Sequence, residues 1–297
     1  MIFWVVGVVA AVVATMAYSD TFTLMIFPAS EHGEEIDRMM YNTMYVMIFV
    51  SLLTNTLLFY YGYRYRYKEG RKALYYPHNN RLEVIWTVVP AIVMTALVLD
   101  GGFTWNAIMM PDEADNGIKV EMTGEQFRWT ARYPGADTEF GDAGVSFISE
   151  GNILGLNLED QHGNDDLIIE APAEIVIPVD IPVTMLIRSK DVLHSMTLAH
   201  FRVKMDAVPG LNTKFTFTPK YTTAEMKEMR GNPDFEYEMS CQQICGASHW
   251  NMRRVVKVVE MAEYQTWLSQ QKEFFAGYME SQGKDVENGK ESLVVNQ

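Results

Sequence analysis

The stretch Ser240-Cys241-Gln242-Gln243-Ile244-Cys245-Gly246-Ala247-Ser248-His249-Trp250-Asn251-Met252 decides how this chain is read, because it concentrates soft metal ligands. Cys241 and Cys245 are the only cysteines among 297 residues; His249 follows four residues after the second, and Met252 three residues later. Two potential thiolates, an imidazole and a thioether therefore share one turn-rich segment. Soft sulfur combined with imidazole selects copper, iron–sulfur or zinc over magnesium or calcium.

Two cysteines in an exported domain can also form a disulfide, and a set of cysteines and histidines can hold zinc. Met252 separates these readings, since zinc rarely takes a thioether, whereas His and Cys with a weak axial Met are the ligands of copper electron-transfer sites. A mononuclear site of that kind needs one cysteine and two histidines. The second cysteine suggests instead two coppers bridged by two thiolates, with one more histidine supplied from elsewhere. The candidate is His194 in Asp191-Val192-Leu193-His194-Ser195-Met196, downstream of the β-rich run Ile175-Val176-Ile177-Pro178-Val179.

Working outward, the formal net charge of −14 is unevenly placed: from Thr104 onward there are 17 Lys/Arg against 30 Asp/Glu. An acidic domain argues against nucleic acid as a partner. With 48% apolar residues, the chain is long enough for a membrane anchor and one β domain of ordinary size.

Met39 to Tyr63 carries no charge over 25 residues, which exceeds the length needed to cross a hydrocarbon core of about 30 Å. Val84 to Leu99 is shorter and extends through Gly101-Gly102-Phe103 to an interfacial Trp105; Pro90 predicts a kink in it. The intervening loop holds Arg64, Arg66, Lys68, Arg71, Lys72 and Arg81 against Glu69 alone, so it belongs in the cytoplasm and everything after Trp105 lies outside. Met1 to Ser19 is uncharged and lacks both a basic leader and an evident cleavage site, so it reads as a third membrane helix in preference to a signal peptide. Residues 19–40 read as an acidic connector.

From Ile118 the pattern becomes β-rich: 118–123, 126–133, 167–170, 174–189, 193–198, 214–218, 235–240 and 253–260. Eight short, punctuated strands suggest an antiparallel sandwich. Residues 139–166 are Gly- and Asp-rich and read as a long loop or partly ordered insertion. Thr222 to Gly231 has a capping threonine and a terminal glycine, which predicts a short helix near the rim of the metal loop. The resulting organisation is a membrane anchor over 1–105 (helices at about 2–18, 39–63 and 84–103), an exported domain over 106–270, and a polar tail over 271–297, helical in propensity to about Gln282.

The phrase Asp191-Val192-Leu193-His194-Ser195, then Lys204-Met205-Asp206-Ala207-Val208-Pro209-Gly210, then Cys-x3-Cys-x3-His-x2-Met closely resembles subunit II of haem–copper cytochrome c oxidase, over a span from near Tyr41 to near Leu268. The resemblance implies a cupredoxin-like Greek-key sandwich behind a transmembrane hairpin. It also implies a dinuclear CuA centre with Cys241 and Cys245 as bridges, His194 and His249 as caps, Met252 as a weak ligand and the backbone carbonyl of Gln243 as the last donor. In family terms the segment Leu82 to Ala91 opens the second hairpin helix, and Glu83 stands where many members mark the cytoplasmic entrance of a proton channel continued in subunit I.

Departures from the family are informative. Gln126-Phe127-Arg128-Trp129 replaces the usual Trp-x-Trp, so Phe127 stands at the electron-accepting indole's place, and Trp129 and Trp250 remain as aromatic candidates. Gln243 replaces a carboxylate that often binds magnesium at the subunit interface, which leaves that ion open. No Cys-x2-Cys-His is present, so no haem is attached covalently to this chain.

The function implied is the electron-accepting subunit of a proton-pumping terminal oxidase, in a bacterial inner membrane with the C-terminal domain in the periplasm. It would receive electrons from a c-type cytochrome, held at the membrane or in a supercomplex, and pass them to haem in subunit I. The alternatives are the CuA domain of a nitric oxide or nitrous oxide reductase, and, from another class, a copper-delivery or structural metal protein. A quinol oxidase subunit would have lost the copper ligands, which are intact here.

Overall fold

The computed structural model describes residues 27–110 and 117–281. The helix expected at about 2–18 and the final part of the expected tail lie outside the described residues. The chain divides into two units, one of Glu34–Ala107 and one of Pro28–Gly33 together with the chain from Ile108 onward.

In the first unit, α1 (Gly33–Arg64) and α2 (Asn80–Met109) are 32 and 30 residues long and apolar enough to cross a membrane. Both run past the boundaries read from the uncharged stretches, because their polar ends are good helix termini. Glu34 and Glu35 occupy the first turn of α1, where carboxylates complement the helix dipole. At the start of α2, Asn79 Oδ1 accepts from the Leu82 amide at 3.1 Å and Glu83 Oε1 accepts from the Asn79 amide at 3.3 Å, a reciprocal cap. Pro90 is accommodated within one continuous helix. The Arg38 guanidinium spans both oxygens of Asp100 at 3.1 and 3.2 Å, tying α1 to α2 at the end away from the basic loop.

Among the described residues the second unit is a sandwich of ten strands: β1 (Ile118–Glu125), β2 (Arg128–Tyr133), β3 (Leu167–Ile169), β4 (Ile175–Pro178), β5 (Val183–Ser189), β6 (His194–Leu198), β7 (Val203–Ala207), β8 (Thr213–Phe217), β9 (Tyr237–Cys241) and β10 (Arg253–Val259). One sheet has the order β3-β2-β1-β5-β8, the other β4-β10-β9-β6-β7. Val120, Met122, Ala131, Tyr133, Ile177, Ile187, Met196, Tyr237 and Val256 are completely buried in the core between them, each large side chain contributing about 1.5–3 kcal/mol by leaving water.

Three expectations are corrected here. The sandwich is mixed, since β1 with β5 and β10 with β4 run parallel. The run 174–189 is two strands, divided at a turn where Asp180 has φ 56°. β7 is an additional strand that the polar Lys204 and Asp206 conceal in the sequence; only Val203 and Ala207 of its five residues are fully buried.

Elements outside the sheets also differ from the sequence reading. Pro28–Gly33, placed in a connector by its charge, is woven into the β unit: Ala29 N donates to His200 O at 2.7 Å, Ser30 Oγ to Phe201 O at 2.7 Å and Glu31 N to Thr218 O at 3.1 Å. The insertion at 139–166 is ordered around Asn152, whose side chain bonds the Leu156 amide and carbonyl at 2.9 and 2.8 Å. Its Leu154 and Leu156 form a small second core with Phe274. The expected polar tail therefore begins later than 271, because α5 (Phe274–Ser281) docks through buried Phe274, Phe275 and Met279.

The predicted short helix is α3 (Thr223–Met229), closed by a capping box between Thr222 and Glu225. It does not stand at the rim of the metal loop. Thr223 Oγ1 accepts from the Val258 amide at 2.9 Å, six residues along β10 from Met252, or about 20 Å of extended strand. A further helix, α4 (Met261–Ser269), follows β10 directly.

Candidate metal centre

Cys241 ends β9, and the loop back to β10 returns so that Cys241 N donates to Met252 O at 3.1 Å. Gln242 N donates to Ser195 O at 2.9 Å, which fastens the same loop to the start of β6, where His194 stands. The sheet thus brings a histidine 47 positions upstream of Cys241 to the sulfur loop, a proximity that spacing in the chain does not reveal.

The nitrogen and sulfur donors of His194, Cys241 and Cys245 all lie within 4.8 Å of one another, and all three residues are buried. Cys241 Sγ is 3.9 Å from His194 Nδ1 and 3.2 Å from the Gln243 carbonyl oxygen. Cys245 Sγ is 3.5 Å from His249 Nδ1 and 3.2 Å from Met252 Sδ. The two cysteines are not bonded to each other. Every donor named from the sequence converges on one pocket, and their softness suits copper. Burial, reinforced by the neighbouring Cys241, pushes the Cys245 thiol up to about 11, so a cation that binds here must displace protons from sulfur.

Asp191 orients the histidine. Its Oδ1 is 2.8 Å from His194 Nε2, while its Oδ2 accepts from the Gln126 amide at 2.7 Å. Burial alone would raise this carboxyl, but the bonds from His194, Gln126 and Val192 outweigh it and hold it below its ordinary value. With Nε2 donating to Asp191, Nδ1 presents its lone pair toward Cys241.

The aromatic candidates take different places. Trp129 is fully buried and meets the His194 ring edge-on at 5.8 Å and 64°. The contact needs Gly124, where a Cβ would come within 2.9 Å of the Trp129 ring and 3.1 Å of the His194 ring. Phe127 is half-buried and lies against Gly246, which has φ 144° and no room for a Cβ, 2.7 Å from the Phe127 ring. Trp250 and Ile244, each 81% exposed, stand on the outer surface of the loop. Arg128 is paired with Glu125 and Glu170, so it does not present a free positive charge.

Sequence reasoning assigned no roles to Asp191, Gln126 and Gly124. The Asp-x2-His spacing was the one available signal for the first; the other two act through contacts between distant strands. Glu83 belongs to the membrane unit and caps α2, as described above.

A β sandwich whose pocket gathers two cysteines, two histidines and a methionine, preceded by two membrane-length helices, defines a membrane-anchored protein with a candidate site for a soft metal. The family described as "Cytochrome C oxidase subunit II, periplasmic domain" matches residues 118–259, and "Cytochrome C oxidase subunit II, transmembrane domain" matches residues 21–100. The "Alternative cytochrome c oxidase subunit 2" of Bradyrhizobium diazoefficiens is 35% identical over 248 residues, covering 83% of this chain and 84% of that protein. The "Cytochrome c oxidase subunit 2" of Cereibacter sphaeroides is 28% identical over 233 residues, 76% of this chain and 71% of the relative. Among solved structures, the periplasmic domain of subunit II of the Bradyrhizobium japonicum cytochrome oxidase is 21% identical, covering 51% of this chain and 91% of that one, with a TM-score of 0.35.

The chain belongs to the cytochrome c oxidase subunit II family. It is thus a membrane protein and a component of a haem–copper oxidoreductase, with a C-terminal domain of the periplasmic type.

Proposed function

We propose that this chain is the electron-accepting subunit of a terminal oxidase in a bacterial inner membrane. In this reading Cys241, Cys245, His194, His249, Met252 and the Gln243 carbonyl hold a dinuclear copper centre. The observation that carries the reading is the convergence of these donors on one site, where His194, Cys241, Cys245 and Met252 are buried and His249 is half-buried. When bound, such a centre supplies one-electron transfer between a c-type cytochrome and haem in subunit I. The protein's part is to keep the geometry constant: two strands and the Gln242–Ser195 bond fix the loop, and Asp191 fixes the His194 ring. Exposed Trp250 and Ile244 offer the donor a low-polarity approach to the loop, while the domain's acidic balance favours a cationic partner.

Metal analysis of the purified complex, combined with its electron paramagnetic resonance spectrum, tests this. Two coppers per chain sharing one unpaired electron are expected. A single localised Cu(II), or loss of just one copper in Cys245→Ser, would sink the dinuclear assignment.

Glu83 remains the proposed entrance of a proton path. The six-to-one basic loop before it supports an inner location, and among the described residues its side chain accepts one long bond at 3.3 Å. Glu83→Ala is expected to slow oxygen consumption without removing copper; unchanged turnover would reduce Glu83 to a helix cap.

A further inference from the structure

One side chain outside the donor set bears directly on the pocket. Arg254 is only 3% exposed and lies on the inner face of β10 with Met252, Val256 and Val258. Its register partner is Met239, two residues before Cys241, so one repeat of the strand, about 7 Å, separates it from the Cys241–Met252 pair. The guanidinium crosses the sandwich and donates to the carbonyls of Trp129 and Ala173, while its Nε is buried with no hydrogen-bond partner. Trp129 is the residue whose ring abuts His194. Among the described residues no carboxylate pairs with Arg254; two carbonyl dipoles and the neutral Tyr133 phenol face its charge. A buried cation without a counter-charge is costly, and an apolar side chain of similar volume would be cheaper there.

We propose that Arg254 is a positioning residue of the metal centre: its fixed positive charge favours the electron-loaded state, and its hold on the Trp129 carbonyl keeps that indole against His194. The inference rests on the copper reading above. A unit charge roughly 10 Å from a redox centre, at an effective dielectric near 20, shifts a one-electron equilibrium by about tenfold, equivalent to about 59 mV.

The test is a redox titration of the copper signal in the assembled, full-length complex. Arg254→Gln keeps an amide donor without the charge, and Arg254→Lys keeps the charge without the planar fork. R254Q is expected to shift the equilibrium about tenfold toward the oxidised centre, and to do so equally at high salt because a buried charge is little screened. R254K is expected to stay within about twofold of the wild type. Equal potentials in wild type and R254Q overturn the proposal. A tenfold fall in R254K with full copper content also overturns it, even if R254Q does not load copper. Absence of a two-copper signal from the wild-type complex sinks the copper reading and this inference together, whereas an intact signal with an unmoved potential sinks the inference alone.

Discussion

Asp191 serves two partners at once, the ring of His194 at 2.8 Å and the Gln126 amide at 2.7 Å. Carboxylates behind a ligating histidine fix its tautomer and typically matter by about 10–100-fold in metal affinity. Asp191→Asn keeps the volume and an oxygen for Gln126 but removes the charge that holds the Nε2 proton. Its copper affinity should fall within that range, as read by competition with a chelator, while the melting temperature of the metal-free protein changes little because Asp191 is on an exposed loop. An affinity equal to wild type would mean that the fold alone orients His194. The candidate donors were legible in the sequence because their chemistry is rare: the chain has two cysteines, four residues apart. Asp191 was not, since an aspartate three positions from a histidine is ordinary until a loop points it at the ring.

Among the elements, the Pro28–Gly33 strap carries a pH dependence. His32 within it and His200 beneath it are both held to about 4, chiefly by burial; nearby Arg202 also disfavours their charged forms, as does Arg230 for His200, and backbone bonds of Arg202 and Phe201 only partly offset this at His32. The folded state keeps these rings neutral, while the unfolded chain takes up protons below about pH 6.5. Stability linked to them is therefore complete above pH 6.5 and is lost as pH falls toward 4. The melting temperature should drop across that window, and drop less in His32→Gln, which cannot protonate. An identical slope in the variant would show that the strap's histidine does not contribute. The hydrophobic pattern revealed most strands but not β7 or the strap, because both owe their order to backbone bonds with neighbours rather than to an apolar run.

On the scale of the whole molecule, the question is how the donor reaches the pocket. Phe127 stands in place of the family's indole and Arg128 is paired with Glu125 and Glu170, so in the proposed reading the donor is a c-type cytochrome, or a quinol-oxidising complex, held against this domain. α3 packs against β10 away from the loop and so offers no docking surface beside it. A partner held in place makes transfer effectively intramolecular, so turnover in intact membranes should depend only weakly on salt. Fast oxidation of a soluble basic cytochrome c at low ionic strength, falling steeply as salt rises, would reject the fixed partner.

The sequence by itself determined the two membrane-length helices, the β class of the second unit and the candidate soft donors, because uncharged runs, alternation and rare ligand types are local signals. Only the tertiary structure decided how β6 carries His194 to the sulfur loop, that Asp191 and Gly124 support it, that Arg254 sends a cation across the core, and that residues 274–281 pack rather than trail. Each of these depends on contacts between residues far apart in the chain, fixed by strand register and by the requirement that buried polar groups find partners. No local pattern encodes that register.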